Sequence, residues 1–146
     1  VNIIPDRNWN IDDPEEKAQK IAELGRYIGT AKSLGLPINV GTELNKPGQR
    51  FVDDFDAQPL KTFLPAFLEG AQVMVGQTRL LRFADFSYTD QEAKSMYPGR
   101  RERNKAFASV GALPEPGPAC RNRLLAMTAE KAFSYLQDSA KRGEWC

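Results

Sequence analysis

The alternation of apolar and polar positions divides the first forty residues into a strand, a helix and a second strand. Residues 1–4 form a short apolar run, and residues 38–40 form another that leads into a polar, glycine-bearing loop. Between them Asp13 is a good helix N-cap, Pro14 suits the first helical position, and apolar residues follow at spacings of three and four. This order predicts a βαβ unit, with two parallel strands and the helix packed across them.

Beyond the second strand the pattern is mainly helical. Residues 60–68 fit one helical face, and Pro65 within that face predicts a kink or two short helices. Residues 71–84 fit either a third buried strand or a continuing helix, and the unbroken apolar spacing favours the helix. Three further helical segments are expected, near residues 89–97, 100–110 and 121–142.

These elements predict an α/β fold, a helix-rich βαβ fragment of a (β/α) barrel-type fold with a helical C-terminal tail. Residues 1–85 would form the barrel-like segment and residues 86–146 a helical extension packed on it, within one domain. An apolar run at the first residue is unusual for a natural N-terminus, so we expect the C-terminal portion of a longer protein. Because such a piece leaves an open sheet edge, we expect self-association or a companion chain.

Composition narrows the classes of function. The net charge is +1, and 41% hydrophobic with 27% charged residues is ordinary for a soluble globular protein. We therefore expect neither a nucleic-acid nor a membrane partner, and the two widely spaced cysteines are typical of free thiols in a reducing, cytoplasmic compartment. The chain has no histidine, which excludes self-contained Ser-His-Asp or Cys-His catalysis. A metal site made by this chain alone would be oxygen-rich, which favours Mg, Mn or Ca.

Polar side chains follow both predicted strands, at the end where parallel folds bind ligands. Glu43 and Asn45 can ligate a hard cation or hydrogen-bond a polar substrate, although Glu43 can equally cap a backbone group or pair with Arg50. After the first strand, Arg7 can pair with a substrate carboxylate or phosphate, with Asp6 beside it. The alternative is a structural ion pair between loops that involves Asp6 and Arg7.

Two other charged groups favour structural roles. Alternation in the stretch FVDDF points either Asp53 or Asp54 inward, and the inward one fits a cap of the helix near Pro59 better than a metal ligand. The basic run at residues 100–105 can hold a phosphate or an acidic partner, but its interspersed glutamate favours a solvated helix face.

The stretches VNIIPDRNW (1–9) and GLPINVGTELNKPGQRFVDDF (35–55) resemble the last two βα units of a metal-dependent hydrolase barrel. They are similar to bacterial proteins related to the polymerase-and-histidinol-phosphatase (PHP) group, whose members are distorted (β/α)₇ barrels. In that family the late strands supply metal ligands, an Asp followed closely by a His. The resemblance places Glu43 in the role of the Asp, as a metal ligand, and Asn45 where the His is expected. It departs from the family there, and the histidine-rich early strands have no counterpart in this chain.

The resemblance and the strand-end residues together predict part of a metal-dependent hydrolase acting on a small polar or phosphorylated substrate. Glu43 would be the catalytic and metal-binding residue, and Asp6, Arg7 and Asn45 would contact the substrate. A divalent cation (Mg, Mn or Zn) is expected in the full-length protein. The alternatives are a non-catalytic α/β binding or interaction module, and an isomerase or aldolase-type barrel with Glu43 as general base.

Overall fold

The computed structural model describes residues 1–44, Pro47 and residues 51–145. The chain forms two compact units, Val1–Gly70 and Ala71–Cys146. The elements of the described residues are, in chain order, β1 (Asn2–Ile3), α1 (Asp6–Trp9), α2 (Pro14–Ser33), β2 (Asn39–Val40), a 3-10 helix (Lys61–Phe63), α3 (Leu64–Ala84), α4 (Gln91–Met96), α5 (Arg100–Gly111), α6 (Pro118–Leu125) and α7 (Ala129–Arg142).

The two predicted strands pair in parallel, with Asn2 opposite Asn39 and Ile3 opposite Val40, as the sequence predicted. The Asn39 amide donates to the Val1 carbonyl at 2.8 Å, and the Gly41 amide donates to the Ile3 carbonyl at 2.8 Å. In a parallel ladder these bonds place both carboxyl ends at the same edge of the sheet. That edge is where the polar residues of the candidate site lie.

The predicted α/β class, a fragment of a (β/α) barrel-type fold, is wrong. The chain is 63% helical, and within the described residues its only sheet is this pair of two-residue strands. The reason lies at the outer edge of β2, where a helix stands in place of the next strand. A side chain at Gly70 of α3 would lie 1.8 Å from the Ile38 carbonyl oxygen, so the helix backbone rests directly on that edge.

Helix α2 supplies the main apolar face of the N-terminal unit. Asp13 caps it by accepting a hydrogen bond from the Glu16 amide at 2.7 Å, and Gly35 follows its end with a φ of 63°. The helix begins and ends where the sequence signals predicted. The buried residues of this core are Ile3, Leu24, Ile28, Ala31, Ile38, Leu60, Ala66 and Phe67.

Residues 71–84 are helical, which confirms the favoured interpretation of that ambiguous stretch. Pro65 lies in the first turn of α3, where the missing amide hydrogen costs nothing. The 3-10 helix Lys61–Phe63 ends directly before α3, so residues 60–68 contain two helical segments, one of the two outcomes that Pro65 predicted. The predicted helix at 121–142 is instead two helices. Thr128 caps the second one, accepting from the Lys131 amide at 3.5 Å, and Gly143 ends it with a φ of 77°.

The C-terminal unit has its own core, built where helices α3 and α5 cross without intervening side chains. A side chain at Gly76 would lie 1.9 Å from the Phe107 carbonyl oxygen, and one at Gly111 would lie 1.8 Å from that of Gln72. Two glycines therefore permit backbone-to-backbone contact at this crossing. The buried core comprises Val73, Leu80, Ala84, Phe86, Ala93, Phe107, Val110, Leu124, Ala132 and Leu136.

Candidate functional site

The carboxyl ends of β1 and β2 open into a small cleft in the N-terminal unit. Its volume is about 20 Å³, enough for one water molecule or one small ion. The fold brings three of the predicted site residues to its wall, namely Asp6, Arg7 and Glu43. The fourth, Asn45, lies outside the described residues. The described residues of the lining are Ile4, Asp6, Arg7, Gly41, Thr42, Glu43, Val52 and Asp53.

Glu43 and Arg7 form an ion pair across the two strand ends. The Arg7 side chain is 62% exposed and that of Glu43 is 25% exposed, so the pair lies at the mouth of the cleft. Arg50, the alternative partner of Glu43, lies outside the part of the chain that the structure describes. An exposed pair of this kind contributes little to stability, about 1 kcal/mol or less.

Asp6 makes no ion pair with Arg7 in the structure. One of its carboxylate oxygens accepts a hydrogen bond from the Asn10 side-chain amide at 3.0 Å, and the Asn10 backbone amide donates to the Asp6 carbonyl at 3.0 Å. These contacts close the single turn of α1. The polar residues that follow the first strand are therefore held in a helical turn beside the cleft.

Asp53 lines the cleft, although the sequence favoured a helix cap for the inward aspartate of FVDDF. It is 8% exposed and lines the cleft, with Oδ1 accepting a hydrogen bond from Trp9 Nε1 at 2.9 Å. Its Oδ2 is buried and accepts no hydrogen bond from the described residues. The predicted role as a helix cap is wrong, because the next helical element begins at Lys61 without a side-chain cap. Alternation in FVDDF did indicate one inward aspartate.

The described residues give the cleft an excess of negative charge. Three of their carboxylates and one guanidinium line it, which leaves a formal charge of −2 from these residues. Even so, no group of three or more Asp, Glu, Cys or His side chains among the described residues is placed to hold a metal ion. A cation here would therefore have at most two protein carboxylates as ligands. Mg²⁺ commonly binds in this way, with water completing its coordination.

The basic run 100–105 is only partly the solvated face that the sequence predicted. Arg103 is 9% exposed, and its guanidinium lies 5.0 Å from the centre of the Tyr88 ring. It also donates to the Tyr88 carbonyl at 3.4 Å. Arg103 therefore helps to fix the segment between α3 and α4, a structural role within the C-terminal unit.

Comparisons with protein-family models, with curated proteins and with solved structures give no significant match. Within the described residues, every helix is too short or too polar to cross a membrane.

Proposed function

We propose that the N-terminal unit binds a small hard cation, Mg²⁺ or Mn²⁺, in the strand-end cleft, as part of a metal-dependent hydrolase. The substrate would be a small polar or phosphorylated molecule. The observation that carries the proposal is the carboxylate of Asp53, which is buried in a negatively charged cleft with one oxygen lacking a hydrogen bond from the described residues. A buried carboxylate oxygen is costly without a partner, and a cation supplies one.

The charge and volume of the cleft favour a cation over an anion. A phosphate or carboxylate would meet an excess of two negative charges from the described residues and a volume of about 20 Å³. A single metal ion fits that volume and offsets that charge. The available donors are all oxygens, which suits Mg²⁺ or Mn²⁺ and does not suit Zn²⁺, whose protein ligands are mainly nitrogen and sulfur.

Three charged residues of the cleft then have defined roles. Asp53 and Glu43 would hold the cation, which when bound would polarise a phosphoryl or carbonyl oxygen of the substrate. Arg7 is largely exposed and would turn from Glu43 to pair with the anionic group of the substrate. Since the described residues assemble fewer than three metal-ligating groups, water would complete the coordination of the cation.

One observation favours a second candidate, a non-catalytic interaction module. Phe51 and Val52 are 81% and 63% exposed, and Val52 belongs to the cleft wall. Exposed apolar side chains beside a charged cleft are typical of a surface that a partner protein covers. The general-base alternative has less support, because the Glu43 carboxylate is already engaged by Arg7.

The decisive experiment is calorimetric titration of Mn²⁺ and Mg²⁺ into the wild type, Asp53→Asn and Glu43→Gln. Asp138→Asn, an exposed carboxylate in the C-terminal unit, is the matched control. We expect one saturable site in the wild type and in the control, and affinity reduced at least ~10-fold in both cleft variants. Replacing Trp145 by phenylalanine leaves Trp9 as the single tryptophan. Its fluorescence then reports cation binding at the cleft, because Trp9 donates a hydrogen bond to Asp53.

The outcomes separate the candidates. Saturable binding together with metal-dependent hydrolysis of 4-nitrophenyl phosphate supports the hydrolase. Binding without hydrolysis supports the interaction module. The absence of a saturable cation site in the folded wild type refutes the proposal. The free energy of unfolding of Glu43→Gln, measured by thermal unfolding, should lie within about 1 kcal/mol of the wild-type value, because Arg7, the partner of Glu43, is mostly exposed.

A further inference from the structure

We infer that the C-terminal unit carries an independent binding site, which takes a small carboxylate with a flat or short apolar body. The site is a cleft beside α3 with a volume of about 260 Å³. Its lining comprises two sets of side chains, an apolar set called the floor (Met74, Val75, Phe83 and Pro116) and three arginines called the rim (Arg79, Arg82 and Arg121). The inference does not depend on the cation proposed for the N-terminal unit.

The floor of the cleft is apolar and open to solvent. Met74 and Val75 on α3 are 46% and 41% exposed, and Phe83 and Pro116 complete the surface. Methionine adapts its shape to a ligand and contacts aromatic rings favourably. A volume of about 260 Å³ is just below the usual range of ligand pockets, so it suits a small molecule with one ring or a short acyl chain.

Arg79 gives the rim a fixed cationic group. It is 7% exposed and donates to the carbonyls of Val110 at 3.0 Å, Leu113 at 2.7 Å and Pro114 at 3.1 Å. Its guanidinium also lies 5.6 Å from the centre of the Trp145 ring. These contacts hold the charge in place before any ligand arrives, which lowers the cost of binding.

The rim already binds a carboxylate of the chain itself. Glu115 accepts hydrogen bonds from Arg79 at 3.3 Å and from Arg121 at 2.9 Å, although its own side chain is 72% exposed. This arrangement shows that the two guanidiniums can hold a carboxylate between them. Because Glu115 is so exposed, it can swing into solvent when a ligand carboxylate takes its place.

The remaining charge favours an anionic ligand. Among the described residues, three guanidiniums and one carboxylate line the cleft, a formal excess of +2. Arg82 lies on the same face of α3, with its guanidinium 5.6 Å from the centre of the Phe83 ring. The Nε of Arg121 is buried and donates no hydrogen bond to the described residues. A ligand carboxylate that takes the place of Glu115 would meet Arg121, with Arg82 as a further cationic group of the lining, while its apolar body covers Met74.

The test uses phenylacetate as the probe, titrated into the full chain by calorimetry and by protein-observed NMR. Two comparison ligands distinguish the contribution of the ring of phenylacetate from that of its carboxylate. The compound 2-phenylethanol has the ring without the charge, and acetate has the charge without the ring. We expect phenylacetate to bind most tightly. Arg82→Gln and Arg121→Gln should each weaken it ~10-fold, the effect of losing one charge-assisted hydrogen bond. Arg26→Gln, an exposed arginine on α2, should leave binding unchanged.

Glu115→Gln provides the sharpest outcome. If the ligand displaces Glu115, removing this internal competitor should strengthen phenylacetate binding severalfold, whereas a purely structural Glu115 would give unchanged or weaker binding. The inference is overturned by unchanged or weaker binding in a folded Glu115→Gln variant. It is also overturned if phenylacetate shows no saturable binding, or if acetate binds as tightly as phenylacetate.

Discussion

Replacement of Gly76 by alanine is the most direct test of the helical packing. Gly76 lies where α3 crosses α5, and a Cβ built there would be 1.9 Å from the Phe107 carbonyl oxygen. Ordinary contact begins at 3.4 Å, so the added methyl group falls 1.5 Å short. Both sides of this contact are helical backbone, and no side-chain rotation can relieve it. The two helices must therefore separate.

The size of the effect follows from that separation. Overpacking in a core costs about 1–3 kcal/mol, and a backbone clash belongs at the upper end. A gap of even 0.5–1 Å forfeits a quarter to a half of the dispersion energy of the contacts that open. Against this, alanine gains about 1 kcal/mol of helix propensity over glycine. We expect Gly76→Ala to be destabilised by about 2 kcal/mol net, with a Tm lower by about 7 °C.

Urea and thermal unfolding followed by circular dichroism measure this effect. Gly29→Ala is the control, because Gly29 lies within α2 and has no atom within 4 Å of the added Cβ. It should gain about 1 kcal/mol of stability from helix propensity alone. Gly111→Ala places a methyl group at the same helix crossing. The double variant should therefore lose less stability than the sum of the losses in Gly76→Ala and Gly111→Ala. A Gly76→Ala protein as stable as Gly29→Ala would refute the close crossing.

Two further predictions concern buried polar groups of the C-terminal unit. Arg79→Ala should lower the free energy of unfolding by about 3 kcal/mol, because it leaves the carbonyls of Val110 and Leu113 without their donor. Arg82→Ala on the same helix is the control and should change it by less than about 0.5 kcal/mol. Urea unfolding midpoints measure both variants, and equal effects would contradict the structural role of Arg79. Burial raises the pKa of the Tyr88 hydroxyl, which donates to Asn104 Oδ1 at 2.5 Å. The folded state therefore favours the neutral phenol, and this stabilisation is complete below the ordinary pKa of about 10 and is lost as pH rises through the higher folded value. Tyr88→Phe should lose about 1 kcal/mol at neutral pH, and the difference from wild type should shrink at alkaline pH. If the stabilities of the wild type and Tyr88→Phe fall in parallel as pH rises, the loss of stability at alkaline pH belongs to another group. Tyr27→Phe is the control at an exposed tyrosine.

The sequence by itself determined the features that depend on neighbouring residues. Asp13 and Pro14 mark the start of α2, and Gly143 marks the end of α7, because caps and left-handed turns are local. The strand-end position of Asp6, Arg7 and Glu43 could be predicted in the same way. Two short apolar runs separated by an amphipathic helix permit few arrangements, and the parallel pair is the one that forms.

Tertiary structure alone decided the fold class. Nothing in the apolar run of β2 shows whether its outer edge meets another strand or a helix. The absence of a side chain at Gly70 lets α3 rest on the Ile38 carbonyl, and this contact replaces the continuing sheet that the barrel prediction required. Contacts of this kind join residues far apart in the chain, so the hydrophobic periodicity within one segment cannot predict them.

The same limit applies to the candidate sites. FVDDF indicated one inward aspartate, but only the folded chain places Asp53 against Trp9, forty-four residues away. The position of Arg79 is decided similarly, by three carbonyls more than thirty residues along the chain. Burying a charge requires that its partners converge from several segments. Local sequence therefore supplied the charged groups, and the packing of the helices determined which of them face a cleft and which hold the structure together.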